Sequence, residues 1–192
     1  MTTSLARKIM LIRHAEKPDG KDAPYGVTPD GVQDAESLTV RGWQRAGALA
    51  VLFAPAQGAL QNPGLARPDV LFASGVAKHS KSERPEETLI PLSQKLGGAM
   101  NRAFDKNQLA ALVDAVCATP GTVLICWQHE DIPAIANLIL GNQTSVPQQW
   151  PADRFDVVWV LDLDDANGLY RFSQVPQRVL PGDQDTGIIA SS

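Results

Sequence analysis

The sequence predicts an α/β domain of three layers, a mostly parallel central sheet with an antiparallel edge strand and helices on both faces. Three observations carry this expectation: unbroken apolar runs of strand length, longer segments of helical period between them, and two late runs flanking a loop rich in turn residues.

Taken in order, residues 8–12 run from Lys8 into four consecutive apolar side chains without polar alternation, as expected of a central strand covered on both faces. Residues 70–73 and 123–127 read the same way. Residues 39–53 place Trp43, Ala46, Leu49, Ala50 and Phe53 on one helical face, and residues 84–96 do so with Leu89, Leu92 and Leu96. Pro85 suits the first turn of that second helix. Residues 109–116 and 132–140 supply two more amphipathic helices, stopped by Pro120-Gly121 and Gly141-Asn142. Residues 156–163 and 169–175 flank the turn-rich stretch 164–168, which suits an antiparallel pair. Two long loops remain, 18–38 and 141–154, and long ordered loops in a compact domain tend to carry function. We expect a single domain over 1–192, with the polar, glycine-containing segment 181–192 as a mobile tail.

Composition excludes several classes. The 192 residues are 44% hydrophobic and 20% charged, and a domain of that length buries on the order of 70% of the surface its unfolded chain exposes. It therefore needs no staples. Cys117 and Cys126 lie in apolar segments without CxxC or Cys/His spacing, which argues for buried thiols and against a zinc site or a disulfide framework. With a formal charge of −4 and dispersed lysines and arginines, the chain lacks the footprint of a nucleic-acid binder. No stretch approaches the roughly 18 apolar residues of a membrane span, and the apolar run 9–12 is too short for a signal-peptide core. A cytoplasmic protein is expected, and nothing in the sequence specifies an oligomer.

Three of the buried strands are followed at once by polar groups: Arg13-His14-Ala15-Glu16-Lys17, the stretch from Ser74 to Arg84, and Gln128-His129-Glu130-Asp131. In open α/β sheets ligands bind outside the carboxyl ends of strands. Only three histidines exist, and two occupy such positions. An imidazole beside guanidinium groups suits phosphoryl chemistry, because arginine grips phosphate oxygens bidentately and neutralises developing charge. A metal site built from the two histidines and Glu130 is the weaker alternative, since nearby arginines repel an ion. No P-loop is present, and the GxSxG elbow that a Ser/His/Asp enzyme of this class needs is missing, although Ser74 follows a strand. His79 reads as an exposed loop residue, and Glu16, Glu83, Glu86 and Glu87 as solvated carboxylates at loops or helix starts. Trp127 and Trp150 read as packing residues, with Trp127 also placed to wall a pocket.

At this point a resemblance becomes visible. Leu11-Ile12-Arg13-His14-Ala15-Glu16-Lys17-Pro18 resembles the signature of the histidine phosphatase (phosphoglycerate mutase-like) superfamily, an Arg-His-Gly or Arg-His-Ala motif ending the first strand. Leu38-Thr39, Gly42 and Gln44-Arg45-Ala46 resemble the family's Leu-Thr-x-x-Gly-x-x-Gln-Ala block. Ala73-Ser74, Arg84 and Glu87-Thr88 resemble Ala-Ser-Pro-x-x-Arg-x-x-Thr, and His129 falls where the second family histidine belongs. The four blocks span residues 9–129 in the family's order. Two features depart from the pattern: residues 75–83 lengthen the third block, with Gly75 where proline is usual, and the second histidine sits in Cys-Trp-Gln-His-Glu-Asp instead of Ser-His-Gly.

The resemblance implies a phosphoglycerate mutase-like fold without a cofactor or metal, acting on a small phosphorylated substrate or a phosphoprotein. It implies that His14 is the nucleophile that becomes phosphohistidine, with Arg13, Arg84 and His129 forming the phosphate pocket. Lys17 falls near a second basic residue of the acid-phosphatase branch. If Arg84 does not fill the pocket after the longer loop, Lys78 or Lys81 is placed to do so, and a loop bearing Lys78 and Lys81 would select an anionic substrate. In the acid-phosphatase branch the general acid directly follows the second histidine, where this chain has Glu130; Asp131 is the fallback. The mutase branch takes its acid from a later loop, but residues 96–117 hold no glutamate, only Asp105 and Asp114. The implied activity is metal-independent phosphoester hydrolysis. A phosphomutase, a phosphohistidine-protein phosphatase and a non-catalytic phosphate-binding or scaffolding module are the alternatives.

Overall fold

The computed structural model describes residues 5–189. Its elements run β1 (Ala6–Arg13), α1 (Val40–Phe53), β2 (Val70–Ala73), α2 (Arg84–Leu96), β3 (Met100–Asn101), α3 (Leu109–Cys117), β4 (Gly121–Trp127), α4 (Ile132–Leu140), β5 (Val157–Asp164) and β6 (Leu169–Pro176). The strands form one sheet in the order β3-β2-β4-β1-β5-β6. The first four are parallel, while β5 runs against β1 and β6 against β5.

Alternation along the strands divides the core into two layers. Ile9 and Leu11 of β1 pack with Ile125, Trp127 and Trp159 against Leu112 and Val116 of α3 and Ile132 and Ile135 of α4. Met10 and Ile12 face the other way, with Leu124, Cys126, Val158 and Val160, against Leu49 and Phe53 of α1 and Leu89 and Leu92 of α2. The apolar runs lacked polar alternation because both faces are buried.

Helix starts follow local chemistry. The Thr39 hydroxyl accepts from the Gly42 N–H at 3.1 Å and caps α1, and Pro85 occupies the first turn of α2. The two-residue β3 has no counterpart in the sequence reading, since a pairing that short leaves no periodic signal.

The segment read from composition as a mobile tail from 181 is corrected over the residues described. Arg45 binds Asp183 at 2.7 Å, Arg154 donates to the Thr186 carbonyl at 2.7 Å, and Ile188 is buried in the core. Residues 190–192 lie outside the described residues. Cys126 is a buried thiol, whereas Cys117 is half-buried. Among the described residues no helix is long and apolar enough to cross a membrane.

Candidate active site

Register brings the polar strand ends together. Arg13 is paired with Trp127 and Ala73 with Cys126, so β1, β4 and β2 finish side by side. The chain continues the ladder one step further: the His14 N–H donates to the Trp127 carbonyl at 3.1 Å and the Ser74 N–H to the Cys126 carbonyl at 3.2 Å. Two helices fix the turn that follows. Thr88 of α2 accepts from the Ala15 N–H at 2.8 Å while donating to the Arg84 carbonyl at 2.7 Å. Thr39 donates from its N–H to the Glu16 carbonyl at 3.0 Å, and a Cβ at Gly42 would lie 2.4 Å from that same oxygen. Only glycine lets α1 approach so closely.

His14 is 4% exposed, with Nδ1 2.8 Å from the Ala15 carbonyl oxygen. A carbonyl can only accept, so in the neutral ring Nδ1 carries the proton and Nε2 keeps its lone pair. Burial lowers the imidazole pKa to about 3; the Ala15 hydrogen bond opposes the shift and the charges of Arg13, Arg84 and His129 add to it. His14 is therefore a neutral base amid positive charge.

Arg13 is fully buried, and its donors are unevenly used. Nη1 faces the carbonyls of Pro151, Ala152 and Arg154 at 3.3, 2.6 and 3.0 Å. The Phe155 ring covers the guanidinium, 3.7 Å from Cζ to centroid. Nε and Nη2 have no partner among the described residues. These two N–H groups share one edge of the guanidinium, the edge that matches two oxygens of one anion. Burial lowers its pKa to about 10, against the pull of Glu130, Glu16 and Asp153, so the group stays charged at neutral pH.

His129 and Glu130 complete the cluster. Glu130 is mostly exposed, and its Oε2 lies 3.0 Å from His129 Nδ1 but off the hydrogen-bonding line, which leaves that nitrogen without a hydrogen bond. Burial and then Arg13 lower the His129 pKa; Glu130 raises it and Lys17 lowers it.

No protein-family model matches the sequence, and comparison with curated proteins finds no match. Solved structures do match. SixA of Agrobacterium tumefaciens, assigned as a phosphohistidine phosphatase, superposes with a TM-score of 0.52 at 16% identity, covering 87% of this chain and 96% of its own. A mycobacterial glucosyl-3-phosphoglycerate phosphatase superposes with a TM-score of 0.51 at 12% identity, covering 88% and 97%. Both are of the histidine phosphatase superfamily. The chain has the histidine phosphatase fold.

On this fold the remaining residues expected at the site take different places. Arg84 stands close enough to lower the His14 pKa, but its donors are engaged by protein: Nε faces the Ser37 carbonyl at 3.3 Å, Nη1 the Ser82 hydroxyl at 3.4 Å and Nη2 the Ala35 carbonyl. Lys17 is exposed and acts on His129. Lys81 lines a cleft of roughly 430 Å³ with Lys106, Gln128, Glu130 and Asp131, whereas Lys78 is exposed and outside that lining. In the same cleft, burial raises the Asp131 carboxyl above its ordinary range. Among the described residues no group of three or more His, Cys, Asp or Glu side chains converges as a metal-ligand set.

Several residues differ from the sequence reading. Glu87 is a buried carboxylate that accepts from the Leu38 N–H at 2.7 Å, not a solvated one. Glu16 is half-buried and held by Arg45 at 2.9 Å and Arg41 at 3.3 Å. Trp127 is fully buried and packs in the core. Gly75 replaces a proline where a Cβ would meet the Arg102 carbonyl at 2.4 Å. Sequence reasoning placed Gln128 at a strand end without a role and missed Phe155 and the pair Arg154 and Asp156. Gln128 ties β4 to the lengthened loop by donating to the hydroxyls of Ser74 and Ser80 at 2.9 and 3.4 Å. The one local signal was Arg154-Phe155-Asp156, opposite charges around an aromatic residue.

Proposed function

We propose that this protein is a phosphatase that hydrolyses a phosphoester through a phosphohistidine on His14. One observation carries the reading: a neutral, buried imidazole with its Nε2 lone pair free stands beside a guanidinium whose two-donor edge is unpartnered. A phosphate gripped on that edge presents phosphorus to an uncharged nucleophile, and the surrounding cations stabilise the charge of the transferring group.

The chemistry balances in two steps. The Nε2 lone pair of His14 forms the N–P bond as the ester P–O bond breaks, and the leaving oxygen takes a proton from Glu130. Water then attacks phosphorus, the Glu130 carboxylate takes its proton, and the N–P electrons return to Nε2 as inorganic phosphate departs. Glu130 suits the acid role because it faces His129 and acts on Arg13; Asp131, with its raised carboxyl, stands next to it in the reserve position. Arg13, His129 and Lys17 bind the phosphate, Arg84 adds its charge at His14 without a free nitrogen, and Lys81 and Lys106 line the leaving-group side and favour an anionic substrate. The nucleophile is a histidine, so no step calls on a metal. Two neighbours named as phosphatases, one for glucosyl-3-phosphoglycerate and one for phosphohistidine, support the reaction class.

A second reading, a non-catalytic phosphate-binding module, is favoured by Arg84, whose donors already serve the 34–37 loop and Ser82. The deciding experiment is hydrolysis of an aryl phosphate across roughly pH 4 to 8 with a chelator present, comparing wild type with His14→Ala. Turnover that survives the chelator and disappears in the variant supports the phosphohistidine route. Phosphate binding without turnover in wild type supports the binding module.

A further inference from the structure

Arg13 can serve a phosphate only if its free edge is aimed, and the fold supplies a device that aims it. All three carbonyls facing Nη1 come from residues 151–154. That loop has no place in the regular sheet, yet its end is fastened. Arg154 and Asp156, 8% and 7% exposed, form an ion pair at 2.7 Å on either side of Phe155, the ring that covers Arg13. The pair is tied in turn to the C-terminal segment: Arg154 Nη2 donates to the Thr186 carbonyl at 2.7 Å, and Asp156 Oδ2 accepts from the Gln184 N–H at 2.6 Å. The Asp156 carbonyl also accepts from the Gln177 N–H at 2.7 Å. Trp150 donates to the same Arg154 carbonyl that Arg13 uses, at 2.8 Å.

We infer that Arg154 and Asp156 are positioning residues for Arg13, and that residues 177–188 act as a strap that holds them. The inference rests on the phosphatase reading, in which Arg13 grips phosphate. With Nη1 saturated and one guanidinium face covered, the edge formed by Nε and Nη2 is the one left without a protein partner. An arginine free to rotate would spend side-chain entropy each time it bound an anion, whereas one clamped in advance does not. The device reaches across the chain, since Arg13 lies in the first strand and the strap in the last described residues. Neither strap nor pair touches the reacting atoms; both act through Arg13.

The test measures binding of inorganic phosphate by calorimetry, together with kcat and KM for an aryl phosphate, on Arg154→Met, Arg154→Lys and the double variant Arg154→Met/Asp156→Leu. If the pair aims Arg13, Arg154→Met raises both the phosphate Kd and KM by about tenfold, because a misplaced anchor weakens binding in every folded molecule. Arg154→Lys, which keeps a charge against Asp156, recovers most of the affinity. A purely structural role lowers kcat through the folded fraction and leaves Kd and KM as they were, and that result overturns the inference while leaving the phosphatase reading intact. Should Arg154→Met fail to fold, the double variant carries the same comparison, since replacing both members of a buried pair avoids an orphaned charge. Wild-type protein that neither binds phosphate nor turns over ester overturns the phosphatase reading and the inference with it.

Discussion

A histidine surrounded by cations and shut away from water resists taking a proton, and this shapes both reactivity and stability at His14. Its folded pKa of about 3 lies below the ordinary 6.5, with burial as the largest cause. As pH falls through 6.5 the unfolded chain binds a proton there and the folded chain does not, so the folded state loses stability progressively down to about pH 3. His14→Gln removes that titration. Denaturant unfolding at a series of pH values in phosphate-free buffer should therefore show wild type losing more stability than the variant across this window. Equal slopes would mean that His14 is not held neutral. The motif around His14 was legible in the sequence, as were Arg13 and His129. The state of the imidazole was not, because it depends on a carbonyl contact and on charges brought from other strands and helices.

At the scale of elements, the site depends on how β1 is docked onto α1 and α2. Thr88 is the joint, accepting from the N–H of Ala15, one residue past His14, and donating to the Arg84 carbonyl. Thr88→Val keeps the shape and leaves the Ala15 N–H buried without a partner, which costs about 1–3 kcal/mol. Denaturant midpoints at neutral pH check it, and a loss near zero would show that water replaces the hydroxyl. Helices α2 and α4 were legible to the residue because their starts carry proline and their ends are set by Gly97 and Gly141. The strand β3 was not, since Met100–Asn101 pairs with β2 over two residues only.

For the whole molecule, the first strand end and the C-terminal segment are joined through one buried cation. Arg45 binds Glu16, Gln177 and Asp183 together. Burial alone would push the Asp183 carboxyl up, but hydrogen bonds from Arg45 and from the N–H groups of Leu180 and Val179 outweigh it and hold the pKa below its ordinary value. A depressed carboxylate contributes stability above its unfolded pKa and loses it as pH falls through the folded one. Asp183→Asn leaves Arg45 with Glu16 as its remaining carboxylate partner and should cost about 1–3 kcal/mol at neutral pH, with the penalty shrinking below roughly pH 4 as the unfolded wild-type chain takes up a proton that the folded carboxylate resists. Thermal unfolding at pH 7 and pH 3 gives the comparison. A penalty of the same size at both pH values would rule out the charge as its origin.

The sequence alone determined the layered architecture and the strand ends that carry the polar residues, His14 among them, because apolar periodicity and the runs after each strand are local patterns written in consecutive residues. The tertiary structure decided which edge of Arg13 is free, that Arg84 is engaged by the 34–37 loop, that Lys81 and not Lys78 lines the cleft, and that the C-terminal segment is strapped down. The placements of Arg13, Arg84 and the C-terminal segment are pairings between side chains and carbonyls far apart in the chain, up to 141 positions in the case of Arg13 and Arg154. Such pairings leave no period in the sequence, and only packing brings them together.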